Sequence, residues 1–128
     1  MDALTAGRLL RVGAIVAAVG VALGAFGAHG LRASVTPERL AVFETGVRYH
    51  LVHALAIVAA AWAAQAAPQS AGPRWAGACF VAGVLIFSGS LYVLVLTGVT
   101  AWGAVTPFGG LAFIAGWIAL ASTRLPRA

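Results

Sequence analysis

Trp75-AGACFVAGVLIFSGSLYVLVLTGVTAWGAVTPFGGLAFIAGWIALAS-Thr123 runs for 49 residues without a single formal charge. About 20 helical residues cross a hydrocarbon core of about 30 Å, so the stretch is too long for one crossing and right for two. Thr97-Gly98-Val99-Thr100 and Thr106-Pro107 bracket the connection between them. Upstream, Val12 to Leu31 gives 20 uncharged residues between Arg11 and Arg32, which is a first crossing. Tyr49 to Pro73 is also free of charge, and its apolar body ends where Gln65, Pro68, Gln69, Ser70, Gly72 and Pro73 cluster into a turn. The reading is an all-α integral membrane protein: a four-transmembrane-helix bundle with spans at about 9–29, 48–67, 75–96 and 107–123, forming one domain over residues 1–128.

Composition agrees. Apolar residues make up 62% of the 128-residue chain and charged residues 9%, whereas a soluble domain carries about a quarter charged residues to solvate its surface. The net charge of +5 comes from eight Arg scattered singly between apolar runs. They mark topology, and no nucleic-acid partner is expected. The lone Cys79 excludes an intrachain disulfide and a cysteine-based metal knuckle. Phosphate-binding loops, His-Glu-x-x-His and Gly-x-Ser-x-Gly are all missing, and an enzyme is not expected. Arg8 and Arg11 ahead of the first apolar run resemble the start of a secretory signal, but the run is long for one.

With four spans, Arg8, Arg11, Arg74, Arg124 and Arg127 share one side of the membrane and Arg32, Arg39 and Arg48 the other. Five against three places both termini in the cytoplasm. Thr36-Pro37-Glu38 is a helix start, with an N-cap, a proline at the first helical position and an acid in the first turn. Leu40, Phe43 and Val47 then fall on one side and Glu44 pairs in register with Arg48. This predicts a short amphipathic interfacial helix at about 37–46, with Gly46 as a hinge, or else an unbroken helix from Pro37 into the second span.

Ala and Gly supply 46 of the 128 residues and lie mostly inside the spans. Gly13, Gly20, Gly24 and Gly27 keep to one face of the first span, and Ala112 and Gly116 repeat the small-xxx-small pattern in the fourth, so close packing within one bundle is expected.

Threading the spans sends the polar side chains to the outer half: His29 ends the first span, Arg48, Tyr49, His50 and His53 begin the second, Ser88, Ser90 and Tyr92 occupy the third, and Thr106 opens the fourth. Polar groups in lipid are costly and turn toward the interior or a cavity. His29, Arg48, Tyr49, His53, Ser88, Ser90 and Tyr92 are therefore the candidate ligand-binding residues. No cofactor is assigned. The expected role is a non-enzymatic bundle whose cluster either locks the helices or binds a membrane lipid, a quinone, or a partner helix or second copy. Two alternatives use the same residues: a small channel or proton-linked carrier with His29 and His53 as titrating groups, or a metal or haem site on His29, His50 and His53. His29 and His53 are expected in one layer, with His53 buried and bonded to the first or third helix, its third-helix partner being Ser88, Ser90 or Tyr92.

Five blocks in order, Gly24-AFGAHG-Leu31, Arg48-YHLVHA-Leu55, Phe87-SGSL-Tyr92, Thr106-PFG-Gly110 and Gly116-Trp117, resemble the YgdD-like family of small bacterial inner-membrane proteins, a domain of unknown function related to a mitochondrial transmembrane protein of animals. The resemblance covers about Leu9 to Trp117 and implies four membrane helices without implying a reaction. In that family the position of His50 is often Gln, so the resemblance speaks against a metal site that needs His50.

Overall fold

A computed structural model of the chain describes residues 5–126. Arg127, counted above as a topology signal, lies outside them. Among the described residues four helices are long and apolar enough to cross a membrane: α1 (Ala6–His29), α2 (Pro37–Ala66), α3 (Gly72–Thr97) and α4 (Thr106–Ala121), the last preceded by a 3-10 turn at Thr100–Ala104. Thr5 caps α1 by accepting from the Arg8 amide at 3.3 Å, and Thr36 caps α2 by accepting from the Arg39 amide at 3.3 Å. Gly98 ends α3 with φ 73°, a left-handed conformation that a Cβ would oppose, and its amide returns to Leu94 O.

The second span begins earlier than the charges suggest. α2 runs unbroken for 30 residues, about 45 Å at 1.5 Å per residue. The segment 37–46 is therefore its first turns and not a separate interfacial helix. Gly46 is no hinge: it is buried in mid-helix, and a Cβ there would lie 2.9 Å from the Tyr92 ring. The amphipathic pattern that suggested an independent helix is simply the stripe along which α2 meets its neighbours.

α3 contains one irregular turn. Val84–Ser88 is π-helical, and the Gly89 amide reaches back to Val84 O, one residue further than in an α-helix. The swollen backbone is accommodated across the interface by Gly109 of α4, whose Cβ would lie 2.3 Å from the Phe87 nitrogen.

α2 is the central helix and packs against both α1 and α3, while α4 packs chiefly on α3. The core is correspondingly small-grained. Leu9, Ile57, Ala60, Ala76, Phe80 and Phe113 form its inner cluster, and Leu31, Phe43 and Val95 form an outer one. Large apolar side chains such as Ile15, Leu55, Leu85 and Leu111 point outward, as expected where lipid and not water surrounds the bundle. Outward-facing Trp62 and Trp75 mark the end where α2 stops and α3 starts, and Trp102 marks the other.

Glycines on α1 set its register against α2. A Cβ on Gly27 would stand 3.0 Å from the Phe43 ring, one on Gly20 2.7 Å from Leu51, and one on Gly13 2.8 Å from Val58. Seven residues down α1 match seven or eight residues up α2, the spacing of antiparallel helices in contact along a seam. The expected packing role of these glycines holds. Gly24, also expected on that face, meets only Val47, at 3.3 Å.

Candidate functional site

The register decides the fate of the histidines. His29 is the last residue of α1, exposed, and level with about residue 41 of α2. His53 lies sixteen residues into α2 and thirteen from its end. The two are about 12 residues apart along the axis, roughly 18 Å. They do not share a layer, which corrects the expectation: placing the start of the second span at Arg48 brought His53 too near the rim. Nor do the three imidazoles assemble. Among the described residues no group of three His, Cys, Asp or Glu side chains lies close enough to hold a metal ion.

What does come together is a set of separate hydrogen-bonded groups inside the bundle. His50 is buried, and its Nε2 donates to Val16 O of α1 at 2.8 Å. A carbonyl can only accept, so Nε2 carries the proton and Nδ1 accepts from the Tyr92 hydroxyl of α3 at 3.0 Å. One ring thus joins three helices. His53 is also buried, as expected, but its partners differ from those expected. Nδ1 donates to Tyr49 O, one turn back on its own helix, at 2.7 Å, and Nε2 accepts from the indole N–H of Trp117 on α4 at 3.1 Å. The ring lies flat on Phe113, centroids 3.5 Å apart and planes 11° from parallel, with Phe80 on another side. The two imidazoles therefore hold opposite tautomers, each with one donor and one acceptor used.

Ser88 and Ser90 flank the end of the π-turn. Ser88, fully buried, donates to Gly46 O of α2 at 2.7 Å. Ser90 donates to Phe87 O at 2.9 Å and accepts from the Thr106 hydroxyl at the start of α4, 2.7 Å away. Tyr92 also lays its ring against Phe43, centroids 5.0 Å apart. Tyr49 stays half out of the bundle, its ring on Phe87 at 4.6 Å, and Arg48 is exposed on the outward face of α2.

Of the seven candidate residues, the structure brings His53, Ser88, Ser90 and Tyr92 into the interior, leaves Arg48 and Tyr49 at its surface, and sets His29 apart. Sequence reasoning passed over the bridging function of His50 and all of Trp117. A signal for Trp117 existed: an indole N–H inside a membrane span needs an acceptor, and few are available there. Each polar group is placed by small residues around it, since Gly46 admits Tyr92 and Gly109 admits the swollen turn that presents Ser88 and Ser90.

Four apolar helices joined by an internal polar layer define a small integral membrane protein. Residues 23–110 match the family described as a protein of unknown function (DUF423), and the chain belongs to it. Similar proteins include the UPF0382 membrane protein YwdK of Bacillus subtilis, 46% identical over 84% of this chain and 87% of that protein. The UPF0382 membrane protein SAB0533 of Staphylococcus aureus is 42% identical over 85% and 88%. The UPF0382 inner membrane protein YgdD of Escherichia coli is 40% identical over 89% and 86%. The YgdD-like resemblance is thereby established. No solved structure matches the chain at a significant level.

Proposed function

We propose that this is a non-enzymatic protein of the bacterial inner membrane, with both termini in the cytoplasm, whose polar layer locks four poorly cohesive helices into one bundle. The observation that supports this reading best is His50, a single ring spending both nitrogens on two other helices. A site built for an external ligand would keep donors or acceptors free. Here Ser88, Ser90, His50 and His53 spend theirs on neighbouring helices or on their own backbone. Arg48 and Tyr49, at the surface, are the members left to engage a lipid phosphate.

Thermal unfolding in mild detergent tests the lock. His50→Ala should cost about 1–2 kcal/mol, because a buried carbonyl and hydroxyl lose their partner. His50→Gln should recover most of that, since its amide can donate to one partner and accept from the other. Equal losses for Ala and Gln would overturn the reading, as would a proton or ion flux into liposomes that vanishes in His53→Ala, which would favour a carrier.

A further inference from the structure

The polar layer leaves unexplained the opposite end of the molecule, where α1 begins, α2 ends and α3 begins. A cavity of about 590 Å³ opens there, and its polar walls are Thr5, Arg8, Gln65 and Arg74. Its described lining holds two guanidinium groups and no carboxylate. Arg74 is held in place across the turn between α2 and α3, with Nη1 donating to Pro68 O at 3.1 Å and to Ser70 O at 3.3 Å. Its Nε is nonetheless buried without an acceptor. A buried donor of a charged group left unmatched is costly, so this arginine is anchored in position with hydrogen-bonding capacity unused. The first turn of α1 adds amides and the positive end of the helix dipole.

A second feature makes the cavity more than an anion pocket. It shares Ala6 and Gln65 with a furrow of about 430 Å³ between α1 and α2, whose walls are otherwise apolar: Gly7, Leu10, Val58, Ala61 and Trp62. The furrow runs from the polar cavity toward the middle of the bundle along the lipid-facing side, where Leu10 and Trp62 are exposed. Gly7 keeps it open, because a Cβ at that position would meet no atom within 4 Å. A polar, positively charged chamber continuous with an apolar channel at the depth where headgroups meet acyl chains has the chemistry of one amphiphile.

We propose that this is a binding site for an anionic phospholipid of the leaflet on the side of the termini. The phosphate lies between Arg8 and Arg74, and one acyl chain follows the furrow over Gly7. Two guanidiniums with no opposing acid among the described residues select a net-negative headgroup over a zwitterionic one. The furrow selects a lipid over free phosphate, which would fill the chamber alone. This site is separate from Arg48 and Tyr49, which lie on the outer half of α2, and it does not depend on the function proposed for the polar layer.

The test is native mass spectrometry of the full chain released from nanodiscs of nine parts phosphatidylcholine to one part phosphatidylglycerol. The wild type should retain phosphatidylglycerol about tenfold above its share. Arg8→Gln, at a side chain that makes no hydrogen bond among the described residues, should abolish most of the enrichment without lowering the unfolding temperature. Arg74→Gln should do the same, and Arg8→Gln keeps the test valid if loss of the turn contacts unfolds that variant. Gly7→Leu, whose Cβ enters open space, puts a side chain into the furrow and should reduce retention severalfold. Arg32→Gln removes the same charge from the opposite end and should change nothing. Unchanged enrichment in Arg8→Gln, equal retention of both lipids by the wild type, or displacement of the lipid by millimolar inorganic phosphate with Gly7→Leu as effective as wild type would each overturn the proposal.

Discussion

The seam between α1 and α2 and the seam between α3 and α4 both rely on glycine, in opposite ways. Along the first, the glycines that accept neighbours all belong to α1, and most of what enters is flexible side chain: Val58 at Gly13, Leu51 at Gly20, the Phe43 ring at Gly27. Along the second the accommodation is reciprocal. Gly83 of α3 receives Phe113, Gly116 of α4 receives Phe80, and Gly109 receives the Phe87 backbone itself. The first seam carries one hydrogen bond from a side chain, His50 to Val16 O, while the second adds Ser90 to Thr106 and α4 is further pinned to α2 by Trp117 and His53. In lipid no hydrophobic force drives helices together, so cohesion comes from shape and polar contact. A contact with side-chain tips can adjust to an added atom; a contact with backbone as close as that at Gly109 cannot.

That contrast ranks the expected effects. Gly109→Ala places a methyl against the π-turn, whose backbone has nowhere to go, and should cost about 3 kcal/mol or more, at the upper end of overpacking. Loss of the monodisperse peak on size-exclusion in mild detergent would register it. An unfolding temperature within two or so degrees of wild type would show the seam to be as adaptable as the other. Next come Trp117→Phe and His53→Ala, expected to cost about 1–3 kcal/mol each through an unmatched buried partner. Their double-mutant cycle should give a coupling near 0.6 kcal/mol and no more than about 1.7, the range for polar pairs between membrane helices. Strict additivity would mean that the indole and the imidazole do not interact.

Smaller effects separate positions within the first seam. Gly20→Ala presses on Leu51 and the His50 ring and should cost about 1 kcal/mol. Gly24→Ala meets only Val47, at 3.3 Å, and the gain in helix propensity should bring the balance within about 0.5 kcal/mol of zero. If chemical denaturation gives both variants the same loss, α1 would be held by a continuous small-residue face, as the small-xxx-small pattern alone suggests, and not by three spaced contacts.

The four crossings were legible because uncharged length is a direct measure of bilayer thickness, and the caps at Thr36 and Pro37 because their chemistry is local. The start of α2 was misread for a physical reason. Glu44 and Arg48 were taken as lying outside the membrane, yet on an outward helix face a long charged side chain does not end a span, since it can reach toward the headgroups. That one shift moved His53 from near the rim to mid-depth, and its partner lies on the fourth helix instead of the first or third. Burial of His53, Ser88, Ser90 and Tyr92 was still foreseen, because the cost of polarity in lipid does not depend on which helix pays it. The π-turn was beyond reach: Val84-Leu85-Ile86-Phe87-Ser88 contains no proline, and the room it needs is left by Gly109, more than twenty residues away.

The π-turn also has a bearing on angular phase. Each α-helical residue advances about 100° around the axis, so an extra residue in a regular coil would rotate all that follows, and a π-turn takes it up by widening instead. Phe80 before the turn and Leu91 and Val95 after it all point inward. Excising a single residue from 84–88 would restore a regular coil and leave every composition-based measure of the span almost unchanged. Tyr92 would go on facing His50 and Ser90 facing Thr106, whereas the same excision within the regular coil that follows would turn every later residue by about 100°. Outside the π-turn a frame shift of one position is a rotation, and the polar layer works only at one setting of the dial.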